Sequence, residues 1–208
     1  MPRQNFLEHL HPPFLPAGRA RVSQTFCLGG LAFLLFLVLG LSGAVLMFHY
    51  VPTPAGAADF FAREAGDLPF AWFFRRVHYL AGQAMVLALV LHMLRVLATG
   101  AFLPPRAANW LVGLALLVLT LALDLSGYVL RWDAPTQAAA TVVSSLLGQV
   151  PGLGRLLRRL LLAGDSLNQA SLLRFYVLHC LALPGLALLL TLYHFWRIRR
   201  DGRPGRGL

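Results

Sequence analysis

The sequence predicts an all-α membrane protein: a bundle of four transmembrane helices, with amphipathic surface helices between spans three and four. Three observations predict it. The 208 residues are 58% hydrophobic with a mean hydropathy of +0.67, too apolar for an ordinary soluble domain. Four stretches reach the ~20 apolar residues that a helix needs to cross a bilayer core. Four histidines lie inside two of these stretches as matched pairs, His78 with His92 and His179 with His194.

Span one covers residues 25–50. It follows some 24 polar and Pro-rich residues, and its core exceeds the about 7–15 apolar residues of a secretory leader, so it reads as a retained span. Residues 51–72 form a Pro/Ala/Gly-rich loop carrying Asp59, Glu64 and Asp67. Span two covers 73–99, and Pro104-Pro105 turn the chain into span three at 109–130. The long connection 131–174 holds two amphipathic helical pieces, 136–149 and 153–163, broken at Pro151-Gly152. The second mixes Arg and Leu like a helix lying at the membrane interface. Span four covers 175–196, and residues 1–208 read as one domain. Every backbone polar group in such spans must be satisfied within its own helix, which is why a helical bundle follows.

Four spans place both termini on one side of the membrane. That side holds Arg3, Arg19, Arg21, Arg95, Arg106 and the tail arginines 197, 199, 200, 203 and 206, ten against eight on the other side. The bias favours cytoplasmic termini, in what reads as a bacterial cytoplasmic membrane. The formal charge of +10 is therefore spent on flanking membrane helices, and nucleic-acid binding is not expected. The two cysteines, Cys27 and Cys180, lie on different spans, so a structural disulfide is not expected; buried thiols act as small hydrophobes unless chemistry uses them.

The chemistry sits on the histidines. Their spacings are 14 and 15 residues, roughly 21–22 Å along a helix axis at ~1.5 Å per residue. Spans two and four run in the same direction, so His78 is level with His179 and His92 with His194. The extra residue in the second pair adds about 1.5 Å, a difference helix tilt absorbs. Each level offers two imidazoles to one iron, the arrangement of a bis-histidine haem held between facing helices. The bland alternative is a set of hydrogen-bonded interface histidines. Ionisable groups in a bilayer are costly and need a reason, which argues against that for four at matched depth.

Span one carries Gly29 and Gly43, and span three carries Gly113 and Gly127, each pair 14 apart like His78 and His92. Glycines at the two haem depths leave room for a wide macrocycle; simple close contact between helices is the alternative. Arg75 precedes His78 by three residues and Arg95 follows His92 by three. Both are placed to bind haem propionates, or serve as ordinary flanking cations.

The chain resembles the cytochrome b6 type of the cytochrome b family over nearly its whole length. The resemblance is carried by Phe26-Cys27-Leu28-Gly29-Gly30, Arg75 to His78, His92-Met93-Leu94-Arg95, Gly127-Tyr128-Val129-Leu130-Arg131-Trp132-Asp133, Arg174 to His179, and His194 followed by Arg199. It implies two b haems, and a third, covalent c-type haem on Cys27 with Arg199 at its propionate. An inert thiol is the alternative at Cys27. It also implies an outer-face quinol site built partly from Tyr128, Trp132 and Asp133.

Arg131 departs from the family, which usually has Pro before the Trp, and Tyr79 replaces a usual Arg. Asp124 is an acid where the family has a small residue; it is a candidate for taking a proton from quinol, or else an ion-pair partner of Arg131 or another arginine. The resemblance implies a dimeric quinol-oxidising cytochrome bc complex. Its further parts would be a subunit with the remaining helices, a Rieske-type iron–sulfur protein, and cytochrome c or a similar acceptor. Two other readings stay open: a haem anchor that passes quinol electrons to another partner without bifurcation, and a transporter with a histidine proton relay.

Overall fold

Helix α1 spans Leu28–Met47, α2 Pro54–Arg63, α3 Ala71–Ala98, α4 Ala107–Val129, α5 Ala134–Gly148, α6 Gly154–Leu162, α7 Gln169–Val177 and α8 Leu183–Asp201, with a π-helical turn at Leu178–Ala182 between the last two. These come from a computed structural model that describes residues 27–63 and 70–201. His9, His11, Glu64, Asp67 and the arginines at 3, 19, 21, 203 and 206 lie outside the described residues. Among the described residues, four helices are long and apolar enough to cross a membrane: α1, α3, α4 and the continuous rod Gln169–Arg200 formed by α7, the π turn and α8.

The spans pack as two close pairs, α1 with α3 and α4 with α8. Close approach is possible because inward positions are small: Ala32 and Ser42 on α1, Ala81 and Ala88 on α3, Ala187 on α8. Helices without a hydrophobic driving force between them associate through such residues. The bulky side chains point outward; Leu41, Phe48 and Leu181 are largely exposed, as suits positions that meet lipid tails.

The region 51–72, expected as a loop, contains α2. Pro54 opens it, where its missing N–H costs nothing, and the Gly56 N–H donates to the Thr53 hydroxyl at 3.0 Å. Ala57 and Phe60 then bury one face. Tyr50 ties this end of the molecule together. Its ring meets Phe60 edge-on and stacks on Tyr176, and its hydroxyl donates to the Leu130 carbonyl at 2.6 Å.

The surface helices α5 and α6 fall where the sequence pattern puts them. Asp133 caps α5, accepting the Thr136 N–H at 3.1 Å, and Pro135 lies in its first turn. Val129, Ala140 and Phe175 form a small core with Leu130, Trp132, Leu161 and Leu167 packed against it. Leu161 stands here on the inner face of α6, while Leu153, Leu156 and Leu160 are exposed on its other edge. Span four starts earlier than residue 175 because Asn168 and Ser171 make a reciprocal capping box at Gln169. Arg174 donates to the carbonyls of Arg159 and Leu160 at the C-terminal end of α6, the first of which also accepts the Ala163 N–H.

The Asn168 side chain holds four interactions at once: it accepts the Ala170 N–H at 2.8 Å and the Ser171 N–H at 3.2 Å, and donates to the Leu162 and Ser166 carbonyls, each at 3.1 Å. Asn168→Ala is expected to cost about 1 kcal/mol or somewhat more, read as a lower thermal midpoint of the detergent-solubilised protein; an unchanged midpoint would show that the cap is not needed.

Candidate haem-binding site

The structure brings the four histidines together as two levels. The ring centres of His78 on α3 and His179 in the π turn lie 6.1 Å apart. Two imidazoles on opposite sides of one metal need roughly 6 Å between centres, from two metal–nitrogen bonds of about 2.0–2.1 Å and two ring radii. His92 and His194 are electrostatic neighbours at the second level.

Each histidine is flanked by one of the paired glycines. A β-carbon added to Gly43 would lie 3.1 Å from the His78 ring, and one on Gly127 would lie 2.6 Å from the His179 ring. On Gly29 it would lie 3.5 Å from His92, and on Gly113 3.6 Å from His194. The structure sets these glycines beside the imidazole edges, at the same depths as the four rings. The pairing also fixes direction, with α1 antiparallel to α3 and α4 antiparallel to α8. Gly30 faces open space, with nothing near an added β-carbon.

The hydrogen bonds select one tautomer at the level of His78 and His179, the outer level in the orientation expected from the arginine count. The Ser42 hydroxyl donates to the Val38 carbonyl at 2.7 Å, so its oxygen is left to accept from His78 Nδ1 at 3.0 Å. His179 Nδ1 lies 3.1 Å from the Leu123 carbonyl, an acceptor only, so Nδ1 carries the proton. Ser126 Oγ stands 3.2 Å from the same nitrogen. Both rings thus keep Nε2 unprotonated, the form that binds a metal, with a partner on Nδ1 that holds the ring plane. The second level is less furnished: His194 Nδ1 is buried beside the Asn109 backbone without a hydrogen bond that meets full geometry among the described residues. No group of three or more His, Cys, Asp or Glu is placed to hold a metal among the described residues. A porphyrin iron needs only two axial ligands, so this donor set fits a haem and not a bare ion.

The 15-residue spacing is taken up by the π turn rather than by tilt. Leu183 N–H bonds the Leu178 carbonyl, five residues back. Pro184 follows, with no N–H to give the Cys180 carbonyl and a ring that crowds it. A wider turn relieves that crowding and absorbs one residue. Neither the π turn nor the serine partners were read from the sequence, although Pro184 five residues after His179 was a visible signal.

The remaining candidates scatter around this frame. Arg75 lines a cleft of about 480 Å³ at the outer end with Phe61, Arg131, Trp132 and Asp133, and its guanidinium lies over the Phe61 ring. Arg131 pairs with Asp133 at 2.7 Å, so Asp124 does not have it as a partner. Asp124 is exposed on α4 and accepts from Gln83 at 3.4 Å. Burial pushes the Asp133 carboxyl up slightly, but Thr136 and Arg131 together hold it below the usual carboxylate range. Trp132 has φ 56°, and Gln137 donates to its carbonyl at 2.9 Å. Tyr128 is partly exposed beside this turn. Arg95 lies at the last turn of α3, close to His92. Cys27 is exposed with φ 48° at the start of α1, near the His92 level, and Arg199 is exposed near the end of α8.

A four-span bundle presenting two stacked histidine pairs is the frame of a membrane cytochrome. Residues 16–202 match the family model described as cytochrome b/b6/petB. The chain is similar to cytochrome b6 of Prochlorococcus marinus (strain NATL1A), 37% identical over 184 residues, 88% of this chain and 84% of that one. It is 34% identical to cytochrome b6 of Synechococcus sp. (strain WH7803) over 202 residues, 97% of this chain and 91% of that one. Among solved structures it is similar to a chain of a hyperthermophilic respiratory Complex III, with a TM-score of 0.77 and 26% identity, covering 85% of this chain. It spans about half of that chain, 48%. The protein belongs to the cytochrome b/b6 family, as an integral multi-pass membrane protein, and membership implies b haem.

The glycine contacts differ enough to test. Gly127→Ala forces the His179 ring to move and is expected to cost most of the outer-level b haem. Gly113→Ala meets only ordinary contact and is expected to keep its haem. A pyridine haemochrome measurement on both variants checks this, and equal haem content in the two would remove the steric argument.

Proposed function

We propose that this chain is the cytochrome b subunit of a quinol-oxidising bc-type complex. It conducts electrons across the membrane from an outer-face quinol site to a quinone site on the cytoplasmic side, with proton translocation coupled to that transfer. The observation that carries the reading is the pair of histidine levels, each framed by glycines, with the outer rings 6.1 Å apart. His78 and His179 would hold one b haem, His92 and His194 the other, with Arg75 and Arg95 at their propionates. When bound, the haems supply one-electron redox chemistry at two depths.

The protein's own residues supply the rest. The main-chain and serine partners of Nδ1 keep each outer ring in its ligating tautomer. Tyr128, Trp132 and Asp133 border the outer quinol site, and the Arg131–Asp133 pair fixes that loop against α5. Asp124 is proposed to take a proton from quinol: it is an exposed carboxylate at membrane depth, one turn from Gly127, and its partner Gln83 is a neutral amide that leaves its acceptor capacity largely unused. Cys27, exposed near the His92 level, would attach a third haem through a thioether, with Arg199 nearby to receive a propionate.

A separate subunit bearing further helices is part of this reading. A Rieske-type iron–sulfur protein and a c-type acceptor would complete a dimeric assembly.

Purified from membranes, the protein is expected to show b-type bands in a reduced-minus-oxidised spectrum, two haems per chain by pyridine haemochrome, and covalent haem on a denaturing gel that Cys27→Ser abolishes. A colourless, iron-free protein would overturn the reading. Asp124→Asn is expected to slow quinol oxidation with haem content intact; unchanged turnover would remove Asp124 from the mechanism.

A further inference from the structure

Spans one and three carry the same short string at the same histidine level. Leu41-Ser42-Gly43 and Leu125-Ser126-Gly127 each set a glycine beside an imidazole and a serine one residue ahead of it. The hydroxyl orientations repeat as well. Ser42 Oγ donates to the Val38 carbonyl at 2.7 Å and stands 3.0 Å from His78 Nδ1. Ser126 Oγ donates to the Leu123 carbonyl at 3.0 Å and stands 3.2 Å from His179 Nδ1. In both, the hydroxyl proton is committed to the serine's own helix, and the oxygen is left to accept from the ring N–H. The carbonyl four residues before each glycine neighbours the same ring: Leu39 for His78 and Leu123 for His179.

The other level keeps the glycines and lacks the serines. Leu28 precedes Gly29, and Val112 precedes Gly113. The Asn109 backbone, four residues before Gly113, neighbours His194 in the same way, yet His194 Nδ1 is buried without a hydrogen bond of full geometry among the described residues. The serines are therefore what separates the two levels. Close packing of the spans does not call for them, since alanine is as small and serves that purpose elsewhere in this bundle. Both are buried, 3% and 4% exposed, so their oxygens act on the rings and on nothing outside.

We infer that Ser42 and Ser126 are positioning residues that lower the potential of the haem held by His78 and His179, by giving the Nδ1–H of each ligand a hydroxyl acceptor that the His92/His194 level lacks. This rests on the haem reading above. An acceptor on the far nitrogen makes a ligating imidazole more basic. A more basic ligand favours oxidised iron, and hydrogen bonds to the ligands are one of the protein's means of setting that balance. Burial strengthens the effect, because no water screens the hydroxyl dipoles. It is confined to one level because the other lies some 21 Å away along the helix.

The test is a spectroelectrochemical titration of the purified complex, with haem content measured alongside. S42A/S126A is expected to move one of the two b-haem waves to higher potential and leave the other in place. S42T/S126T, which keeps both hydroxyls, should hold that wave near its parent position. V112S, which offers a hydroxyl to His194 Nδ1, should move the other wave downward. Unchanged potentials in S42A/S126A, movement of both waves together, or a threonine variant that shifts as far as the alanine one would overturn the assignment while the haem reading stands. If S42A/S126A does not retain both haems, V112S decides alone: a lowered second wave supports the role of the hydroxyl, and an unmoved one overturns it. If the parent complex contains no b haem, the inference and the haem reading fall together.

Discussion

An imidazole inside an apolar bundle has two nitrogens to satisfy and almost nothing polar to satisfy them with. This constraint organises the molecule. At the outer level the bundle meets it by giving Nδ1 to the helices themselves: the Leu123 carbonyl for His179, and a serine whose own proton is already committed for His78. Serine in a membrane helix usually bonds its own preceding turn. Here that habit turns the hydroxyl oxygen into an acceptor, and so fixes which ring nitrogen carries hydrogen. The remaining nitrogen is left for a metal. Gly43 and Gly127 serve the same end from the opposite side, since an added β-carbon there would lie only 3.1 and 2.6 Å from the ring.

The two levels are not equivalent. Outer contacts at Gly43 and Gly127 are tighter than those at Gly29 and Gly113, and the outer Nδ1 atoms are bonded while that of His194 is not among the described residues. The outer end is also braced from above. Tyr50 joins α1, α2, α4 and α7 through two ring contacts and one hydrogen bond, and Arg174 with Asn168 locks α6 to the start of span four. Order is concentrated where α5, α6 and the cleft adjoin the histidines. In the role proposed for this chain, a site that places a small redox substrate against a fixed acceptor needs such rigidity.

Much of this was legible in the sequence because membrane helices are written in long, unambiguous runs. The four spans, the pairing of histidines by depth and the period shared with the glycines follow from residue numbers and the helical rise. What those numbers could not give was the side of the ring each glycine touches, because a spacing of 14 serves an imidazole edge and a macrocycle face equally well. The helix α2 was hidden by its composition: Pro, Ala and Gly read as loop, yet Thr53 and Pro54 form a start signal and Phe60 an anchor. Asp133 was read for chemistry, and the structure shows it also capping α5, a role the Asp-x-Pro pattern announces. Asp124 was offered an arginine as its structural alternative; the structure gives that arginine to Asp133, since residues two apart in a turn meet more readily than residues seven apart on a helix.

The spacing of 15 between His179 and His194 carries the last lesson about register. Along a regular helix, 14 residues bring a side chain back to within about 40° of its starting direction, and 15 overshoot by about 60° on the other side. Tilt corrects height but not this rotation, so a regular span four could not present both rings to partners on α3 that are 14 apart. The π turn at Leu178–Ala182 removes one residue from the count. The part of the rod between the histidines then turns as 14 would, and both levels face the same way. Pro184 makes the wide turn the favourable local choice, since a tight one would press its ring on the Cys180 carbonyl and leave that carbonyl without a helical donor. A local backbone preference, encoded by one proline, thus sets the direction of a side chain three turns away.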